Sequence, residues 1–565
     1  MSTPVVKRIF NSGEFSPKVY GRTDMDRYLG GVKILKNFVP IPQGGIVRRP
    51  GTKYVATANG NNVKLIPFQF STTQAYVIEA GNGYMRFYKD GGVILGSNNT
   101  AYTIATNYSG NDVGKIQFAQ SFDTLFLYHQ NYAPASLTRT AHNNWTIGSV
   151  SFNNQPADWG NNNGYPRTGT FYQDRHVLGS PTLYPQRLYF SETSNYSNMT
   201  TGTNDSNGFM INLLSGTADV IFSLASHKAL IALSDSGVWS ISAANGSTTA
   251  ITPTNRKAIK DSYFGSAEVI PARLGDHVIY AQYLAGKVRD LSYSYEADGY
   301  TSSEASVLAD HLIEGYSIPE MAYQQSPFEI IWMRRSDGTL LALTYLAEHK
   351  VIGWSQHTCG NVHSICCIPG TLESELWLAT SRTVNNSNVM YIERMEPFYF
   401  NSANNAFFVD SGLSGNVSGT NVGGLAHLNG QTVSYWADGN TAGNATVENN
   451  AITLGAVASY VVAGLPYTSE VETLPIEVEL KSGPTMFETK RLTGINVRCR
   501  NSAGGSYGPD GNNQAVLMKN NALFSGDIVN LSLRGGHKTV ATVTLKQSEP
   551  LPLNIDAIGL EVEVE

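Results

Sequence analysis

The segment HTCGNVHSICC holds the chain's densest group of side chains that could bind a metal ion. It places His357, Cys359, His363, Cys366 and Cys367 within eleven residues, and thiolates with imidazoles are the usual ligands of structural zinc. The spacing lacks the Cys-x-x-Cys pair of a zinc knuckle, and adjacent cysteines on a strand point to opposite faces. We therefore expect buried strand thiols and no metal site.

Two other patterns could suggest catalysis. SDSGVWS from Ser234 resembles the Asp-box turn of sialidases, but it occurs once and is one residue short, which favours a tight hairpin turn packed by Trp239. Glu393 and Glu396 flank Arg394 and could form an acid–base pair, yet alternating charged residues on a strand normally face water. We predict no catalytic residue, no cofactor and no enzymatic activity.

The composition is that of a large β-rich protein with many turns. The chain has 565 residues, of which only 15% are charged, and it is rich in glycine (54) and tyrosine (30). A net charge of −6 without a Lys/Arg cluster argues against a nucleic-acid-binding surface. Four cysteines form no disulfide framework, which suits assembly in a reducing cytoplasm, and we expect neither a secretory signal nor a membrane-spanning segment.

Residues 64 to 396 repeat one theme, in which two short apolar strands flank a turn. DTLFLYHQ from Asp123 and FEIIWMRRSDGTLLALTY from Phe328 are examples. At about 45 residues per blade this block would hold roughly seven blades of a β-propeller. Stacked sandwiches would give a similar pattern. One helix is predicted inside the block, from Ser302 to Glu314, because Thr301 and Glu304 form a capping box there.

Four regions are predicted along the chain. The N-terminal strap (residues 1–63) carries a short helix from Asp24 to Asn37, and the propeller-like domain covers residues 64–400. Five glycines between Ser411 and Gly424 predict a flexible connector within residues 401–424. Residues 425–565 are expected to form one or two antiparallel β barrels or sandwiches. The predicted fold is therefore mainly β, with very few helices.

Two turn-rich motifs open the chain. The first reads Gly-Glu-x-Ser-Pro followed by Gly-Arg-x-Asp, and the second reads Pro-x-Gly-Gly-x-x-x-Arg-Pro-Gly. The residues that form them are Gly13, Glu14, Ser16, Pro17, Gly21, Arg22, Asp24, Pro42, Gly44, Gly45, Arg49, Pro50 and Gly51. Together the motifs resemble the opening of the nozzle, or tail tubular, proteins of short-tailed bacteriophages.

Further segments resemble that family in the same order along the chain. They are PQRLYFSETSNYSNM, ITPTNRKAIKDSYFGS, KVRDLSYSYEADGY, DGTLLALTYLAEHKVIGWSQHTCGNVHS, YIERM and GLAHLNGQTVSYWADG. The resemblance implies a structural subunit of the virion tail. Six copies would form a ring below the head-to-tail adaptor, possibly contacting tail fibres or a tail needle. The genome would pass through the ring's channel without sequence-specific binding.

The opening motifs also supply the candidate partner-docking residues. A rigid turn that displays Arg48 and Arg49 suits bidentate pairing with carboxylates on an adaptor. The alternative is that both arginines tie the strap to the chain's own propeller. The full candidate set is Glu14, Ser16, Pro17, Arg22, Asp24, Gly44, Gly45, Arg48, Arg49, Pro50 and Gly51. A receptor- or carbohydrate-binding tail component and a propeller glycosidase remain the alternative functions.

Overall fold

The protein is mainly β. A computed structural model describes residues 2–564 except 217, 246–248, 285, 481, 482, 513, 514 and 520. Within these residues there is no α-helix, and none of the helical turns is long and apolar enough to cross a membrane. The short 3-10 helices are Pro17–Val19, Asp26–Gly30, Val113–Lys115, Asp310–Leu312, Ala347–His349, Ala403–Asn405 and Ala426–Leu428.

Seven antiparallel sheets surround a central tunnel and form the blades of a propeller. From the tunnel outwards, blade 1 consists of Lys64–Gln69, Ala75–Gly81, Tyr84–Lys89 and Gly92–Val93, with Thr103–Ala105 also paired to its third strand; blade 2 consists of Gln117–Ser121, Thr124–His129, Tyr132–Ala141 and Asn144–Ser149; and blade 3 consists of Thr168–Tyr172, Arg175–Gly179, Arg187–Phe190 and Phe209–Asn212. Blade 4 consists of Ile221–Ser226, Leu230–Ser234, Val238–Ser242 and Lys257–Ser262, and blade 5 consists of Ala272–Leu274, His277–Ala281, Val288–Ser294 and Gly299–Glu304. Blade 6 consists of Glu320–Gln324, Ile330–Arg334, Leu340–Leu346 and Val351–His357, and blade 7 consists of Asn361–Pro369, Ser374–Val384, Ser387–Met395 and Thr52–Thr57. This confirms the predicted propeller-like domain.

A strand from the N-terminal region completes the last blade. Thr52–Thr57 pairs antiparallel with Ser387–Met395, so blade 7 combines both ends of the propeller segment. The innermost strand of blade 7, Asn361–Pro369, packs against the innermost strand of blade 1, Lys64–Gln69. The ring of blades is therefore closed by residues that lie before the predicted start of the domain.

Blades 6 and 7 continue outwards into the accessory module. Blade 6 is extended through Gly13–Glu14 and Gly31–Lys36 of the strap, and blade 7 through a strand that begins at Asp410. The strands added to blade 6 beyond the strap are Ser469–Thr473, Val543–Gln547, Ser506–Pro509 and Ala515–Val516. The strands added to blade 7 are Asp410–Val422, Ile452–Leu465, Thr432–Ala437 and Thr441–Thr446.

A further sheet packs on the extension of blade 6 and makes the C-terminal part a β-sandwich. Its strands are Ser2–Lys7, Phe38–Pro40, Ile46–Arg48, Asn554–Val564, Lys490–Ser502 and Phe524–Ser532, and a separate two-stranded ribbon pairs Glu479–Leu480 with Gly483–Pro484. The sandwich core mixes strap and C-terminal side chains, among them Phe10, Val32, Val471 and Ile558. The strap is thus an integral part of this module, which corrects its description as a separate N-terminal region.

The helix predicted from Asp24 to Asn37 is wrong beyond its first turn. A 3-10 helix covers Asp26–Gly30, and the chain then becomes the strand Gly31–Lys36. A side chain at Gly31 would come within 2.7 Å of the Phe15 ring, so this position needs glycine where the strap packs closely. Pairing with distant strands outweighs the local helical spacing.

The second predicted helix, Ser302–Glu314, is also wrong. Its first residues belong to the blade 5 strand Gly299–Glu304, and only Asp310–Leu312 forms a 3-10 helix. The capping-box residues Thr301 and Glu304 pair with Ser292 and Arg289 of the neighbouring strand. The residues that would begin a helix by local preference therefore pair instead in the outermost strand of blade 5.

The predicted flexible connector is wrong as well. Asp410–Val422 is a strand that pairs with Ile452–Leu465, and Gly412 pairs with Lys53 of blade 7. Backbone pairing needs no large side chain, so a glycine-rich segment can fill the space between two strand edges. The accessory module consequently begins before residue 425.

Gly51 gives a direct test of how closely the strap packs. A Cβ atom there would lie 1.9 Å from the Val409 carbonyl oxygen, whereas one at Gly415 would meet nothing within 4 Å. We expect Gly51→Ala to lower the free energy of unfolding by roughly 1–3 kcal/mol, the usual cost of overpacking. Gly415→Ala is the matched control and should change it little. Equal melting temperatures for the two variants would contradict the packing.

Candidate functional site: the strap and the propeller tunnel

The structure separates the eleven candidate docking residues into a buried and an exposed group. The buried residues are Glu14, Ser16, Gly44, Gly45, Arg48, Arg49, Pro50 and Gly51. The exposed residues are Pro17, Arg22 and Asp24. Most of the motif that the sequence places at a partner interface therefore lies inside the molecule.

Arg48 is bound on several sides by the accessory module. Its Nε donates to Ser469 Oγ (2.9 Å), one terminal nitrogen donates to the Tyr467 carbonyl (2.9 Å), and the other donates to the carbonyls of Glu549 (2.6 Å) and Leu551. The guanidinium also lies over the Tyr467 ring, 4.4 Å from its centroid. Burial lowers the pKa of Arg48 to about 10. No face of this side chain is free for a partner.

Arg49 forms a bidentate ion pair with Asp410, with both N–O distances at 2.8 Å. Its Nε donates to Asn37 Oδ1 (3.0 Å), and a terminal nitrogen donates to the Thr358 carbonyl (2.7 Å). Burial alone would lower the pKa of Arg49, but the Asp410 carboxylate reverses this and raises it. Arg49 has no exposed surface, so its predicted role in partner docking is wrong.

A second buried ion pair adjoins the first. Arg382 binds both oxygens of Glu393, at 2.6 and 2.7 Å, and lies 3.8 Å from Asp410. Thr52 Oγ1 donates to Glu393 and also accepts the backbone N–H of Ser411 (3.0 Å). The earlier assignment of Glu393 to a solvated strand end is therefore wrong. We call Arg49, Thr52, Arg382, Glu393 and Asp410 the ionic junction.

The remaining buried strap residues also make internal contacts. Both oxygens of the Glu14 carboxylate accept hydrogen bonds, from the Leu35 N–H (2.7 Å), His311 Nε2 (3.0 Å) and Gln356 Nε2 (2.8 Å). Ser16 caps the first 3-10 helix, and its backbone N–H donates to the Leu308 carbonyl. These bonds hold the strap against blade 6 and against the segment that connects blades 5 and 6.

A small exposed surface remains on the strap. Arg22 and Asp24 form a solvent-facing ion pair of 2.8 Å, and exposed Pro17 and the Leu29 side chain, 71% exposed, lie nearby in sequence. We call Pro17, Arg22, Asp24 and Leu29 the strap surface. Pro17, Arg22 and Asp24 are the predicted docking residues that a partner could reach, and Leu29 is an exposed apolar residue that was not among the predicted ones.

The propeller tunnel contains two cavities. The upper cavity, of about 270 Å³, lies where the innermost strands begin, and the lower one, of about 490 Å³, lies where they end. The upper cavity is lined by the charged residues Lys64, Lys115, Glu268, Arg273 and Glu320. Sequence analysis missed this group because its members come from four blades and share no motif.

The two tunnel carboxylates are held by the walls. Glu320 accepts hydrogen bonds from Ser364 Oγ (3.0 Å) and the Ile365 N–H (2.9 Å), while Glu268 pairs with Arg167 (3.2 Å). Burial raises the pKa of Glu320. A raised pKa suits a proton donor, but no residue of the described chain is positioned by these contacts as its catalytic partner.

The cysteine and histidine segment lies mainly on a strand. Cys366 and Cys367 pack into different cores on the two sides of blade 7, which confirms the expected opposite orientation. All four cysteines are free, and burial raises the pKa of the Cys366 and Cys367 thiols. Among the described residues no group of three or more His, Cys, Asp or Glu side chains could hold a metal.

Two remaining motifs have structural explanations. Residues 235–237 form the turn between Leu230–Ser234 and Val238–Ser242, with Trp239 buried beside it, as predicted. Sequence analysis overlooked a Gly-x-Ser-x-Gly order at residues 504–508. Its Ser506 lies on a strand of the sandwich and donates to the Lys546 carbonyl (3.4 Å), whereas a hydrolase nucleophile needs a strand-to-helix turn.

Comparisons with known proteins identify no family. No protein-family model matches the chain, and no curated protein matches it. Among solved structures, one described as "Structure of U3-55K" aligns with 61% of this chain and 100% of its own, at 9% identity and a TM-score of 0.39.

The ionic junction predicts strong destabilisation when one partner is removed. We expect Asp410→Asn to lower the free energy of unfolding by about 3–5 kcal/mol, because Arg49 would keep its buried charge without a matching anion. The matched control is Asp24→Asn in the exposed Arg22 pair, which should hardly change the melting temperature. Thermal unfolding of both variants tests this, and a stable Asp410→Asn protein would contradict it.

Proposed function

We propose that this chain is a structural subunit of a short-tailed phage tail, in a ring that extends the tail below the head-to-tail adaptor. The observation that carries the proposal is the ordered set of N-terminal and later segments that resemble tail nozzle proteins. A rigid, non-catalytic body suits this role, and the ionic junction between strap, blade 7 and accessory module supports such rigidity.

The size of the tunnel bears on where DNA would pass. The larger cavity has a volume of about 490 Å³, whereas one turn of B-DNA, about 34 Å long and more than about 8.5 Å across, fills several times that volume. In the proposed ring the genome therefore passes between subunits, along the ring axis. The chain's net charge of −6 favours a wall to which phosphate does not adhere.

The oligomeric state follows from this proposal. Identical subunits joined by a heterologous interface close into a ring when the rotation between them fits. We expect averaged electron micrographs of tails carrying this protein to show sixfold symmetry below the adaptor. Averages with another symmetry would contradict the stoichiometry, and the absence of the protein from purified virions would contradict the proposed function itself.

Docking to the adaptor is assigned to the strap surface. Its charged pair and exposed leucine do not anchor the strap internally, so changing them should spare folding. We expect the double variant Arg22→Glu, Leu29→Asp to melt like the native protein but to fail to join adaptor-bearing particles in a reconstitution assay. Lys519→Glu, an exposed change in the sandwich, is the control. Normal joining by the double variant would remove this assignment.

The alternative functions lead to different outcomes. A propeller glycosidase would cleave host surface polysaccharide, and a carbohydrate-binding component would retain it uncleaved. Incubating the purified protein with that polysaccharide separates both from a purely structural subunit.

A further inference from the structure

Three turns on one side of the propeller carry exposed apolar side chains. On the lower face, where the innermost strands end, the turns that follow the first strands of blades 1, 2 and 7 carry Phe70, Phe122 and Leu372, which are 44%, 87% and 76% exposed. We call these three residues the apolar tips. The corresponding turns of blades 3, 4 and 5 carry exposed charged residues, namely Asp174, Lys228 and Asp276.

The apolar tips belong to neighbouring blades. The side-chain amide of Gln120 donates to the carbonyls of Gln69 (2.6 Å) and Phe122 (2.8 Å), which joins the turn of blade 2 to that of blade 1. Pro369, where the turn of Leu372 begins, lines the lower cavity together with Gln69 and Gln120. The tips therefore form an arc beside the lower opening of the tunnel.

The backbone at Phe122 is unfavourable for phenylalanine. This residue lies in the tight turn between Gln117–Ser121 and Thr124–His129 and has a φ of +52°. Glycine adopts this region without steric cost, whereas a bulky L-residue rarely does. Because the side chain is largely exposed, burial in the protein's own core does not offset the strain. A strained residue that the core does not need points to a function of its side chain.

A cation without a bound anion lies beside the apolar tips. The Arg139 guanidinium lies over the Phe70 ring, 3.9 Å from its centroid, and it forms no ion pair with a carboxylate of the described chain. The Glu373 carboxylate in the blade 7 turn already accepts the backbone N–H groups of Phe398 and Tyr399, at 2.8 Å each. A planar guanidinium suits a phosphate group, which it can bind with two parallel hydrogen bonds.

The size and shape of the arc favour a bilayer over a protein partner. A phenylalanine buries about 150–250 Å², so three such side chains stay below the roughly 800 Å² that each partner of a stable protein complex buries. The tips also protrude separately from polar turns, whereas the core of a protein interface is a continuous complementary surface. A bilayer closes around each inserted side chain and presents phosphate groups beside it.

We propose that the lower face binds the surface of a phospholipid bilayer through the apolar tips. Phe70, Phe122 and Leu372 insert at the boundary between headgroups and acyl chains, and Arg139 donates to a lipid phosphate. The binding is reversible, because a few inserted side chains bury about as much apolar surface as one short acyl chain. The site belongs to the single chain, so it exists whether or not the chain forms a tail ring.

Co-sedimentation of the full chain with vesicles of phosphatidylcholine tests the proposal. We expect the native protein to pellet with the vesicles and to stay in solution without them. Phe122→Gly should weaken vesicle binding about tenfold or more, the effect of one inserted side chain. Its melting temperature should stay the same or rise, because glycine suits the backbone at this position. Phe487→Gly is the matched control and should bind normally, since Phe487 is also 87% exposed but precedes the sandwich strand Lys490–Ser502.

Further variants test the other contacts. Leu372→Ser and Arg139→Gln should each weaken vesicle binding about tenfold, through the lost apolar anchor and the lost phosphate contact. The exposed carboxylate of Asp123 opposes approach to phosphate, so Asp123→Asn should bind at least as tightly as the native protein.

Two results from the vesicle assay would overturn the proposal. One is native protein that does not pellet with vesicles, and the other is unchanged binding in both Phe122→Gly and Leu372→Ser. Sedimentation velocity without lipid tests the alternative occupant. A dimer that forms in the native protein and is abolished by Phe122→Gly would assign the tips to a second copy of this chain and overturn the lipid assignment.

Discussion

The ionic junction is the interaction on which the architecture depends. Arg49 and Thr52 come from the strap, Arg382 and Glu393 from blade 7, and Asp410 from the start of the accessory module. Two buried guanidinium groups face two carboxylates, so the charges balance and each carboxylate accepts more than one hydrogen bond. A buried charge is tolerated only when it is paired and hydrogen-bonded. The three regions must therefore meet in one arrangement.

That arrangement explains why the strap, the propeller and the accessory module share continuous sheets, although the sequence predicts them as separate units. The outer edges of blades 6 and 7 would otherwise expose unpaired backbone groups, which favour association with other chains. Here strands of the strap and accessory module cover both edges. The propeller and the sandwich consequently share sheets as well as side-chain contacts, and motion between them would break backbone hydrogen bonds.

The tunnel follows a different physical constraint. Its wall is built from strand ends of seven blades, so its charged groups are brought together by ring closure alone. Lys64 begins the first blade, and Glu320 begins the sixth. Closing the ring places both around one cavity, where reduced hydration strengthens their electrostatic effect. This is how a chain without a recognisable catalytic motif acquires a polar cavity.

The sequence by itself determined the features that depend on near neighbours. Alternating apolar residues and short turns predict hairpins, because each hairpin pairs residues close in the chain, and the length of the block at about 45 residues per blade predicts roughly seven blades. The turn before Trp239 and the opposite faces of Cys366 and Cys367 were predicted for the same reason. Strand geometry alone settles such features.

Only the tertiary structure decided the conformation and contacts of residues whose partners are distant in sequence. Asp410 lies 361 positions after Arg49, so nothing local distinguishes an internal ion pair from a partner-docking arginine. The glycine-rich segment after Asp410 has the composition of a linker, yet it forms a strand because it pairs with a neighbouring strand on each side. The residues after Gly31 have helical spacing, yet sheet pairing with the accessory module makes them a strand. In each case backbone pairing or buried charge outweighs local preference, because both depend on partners that only the folded chain brings together.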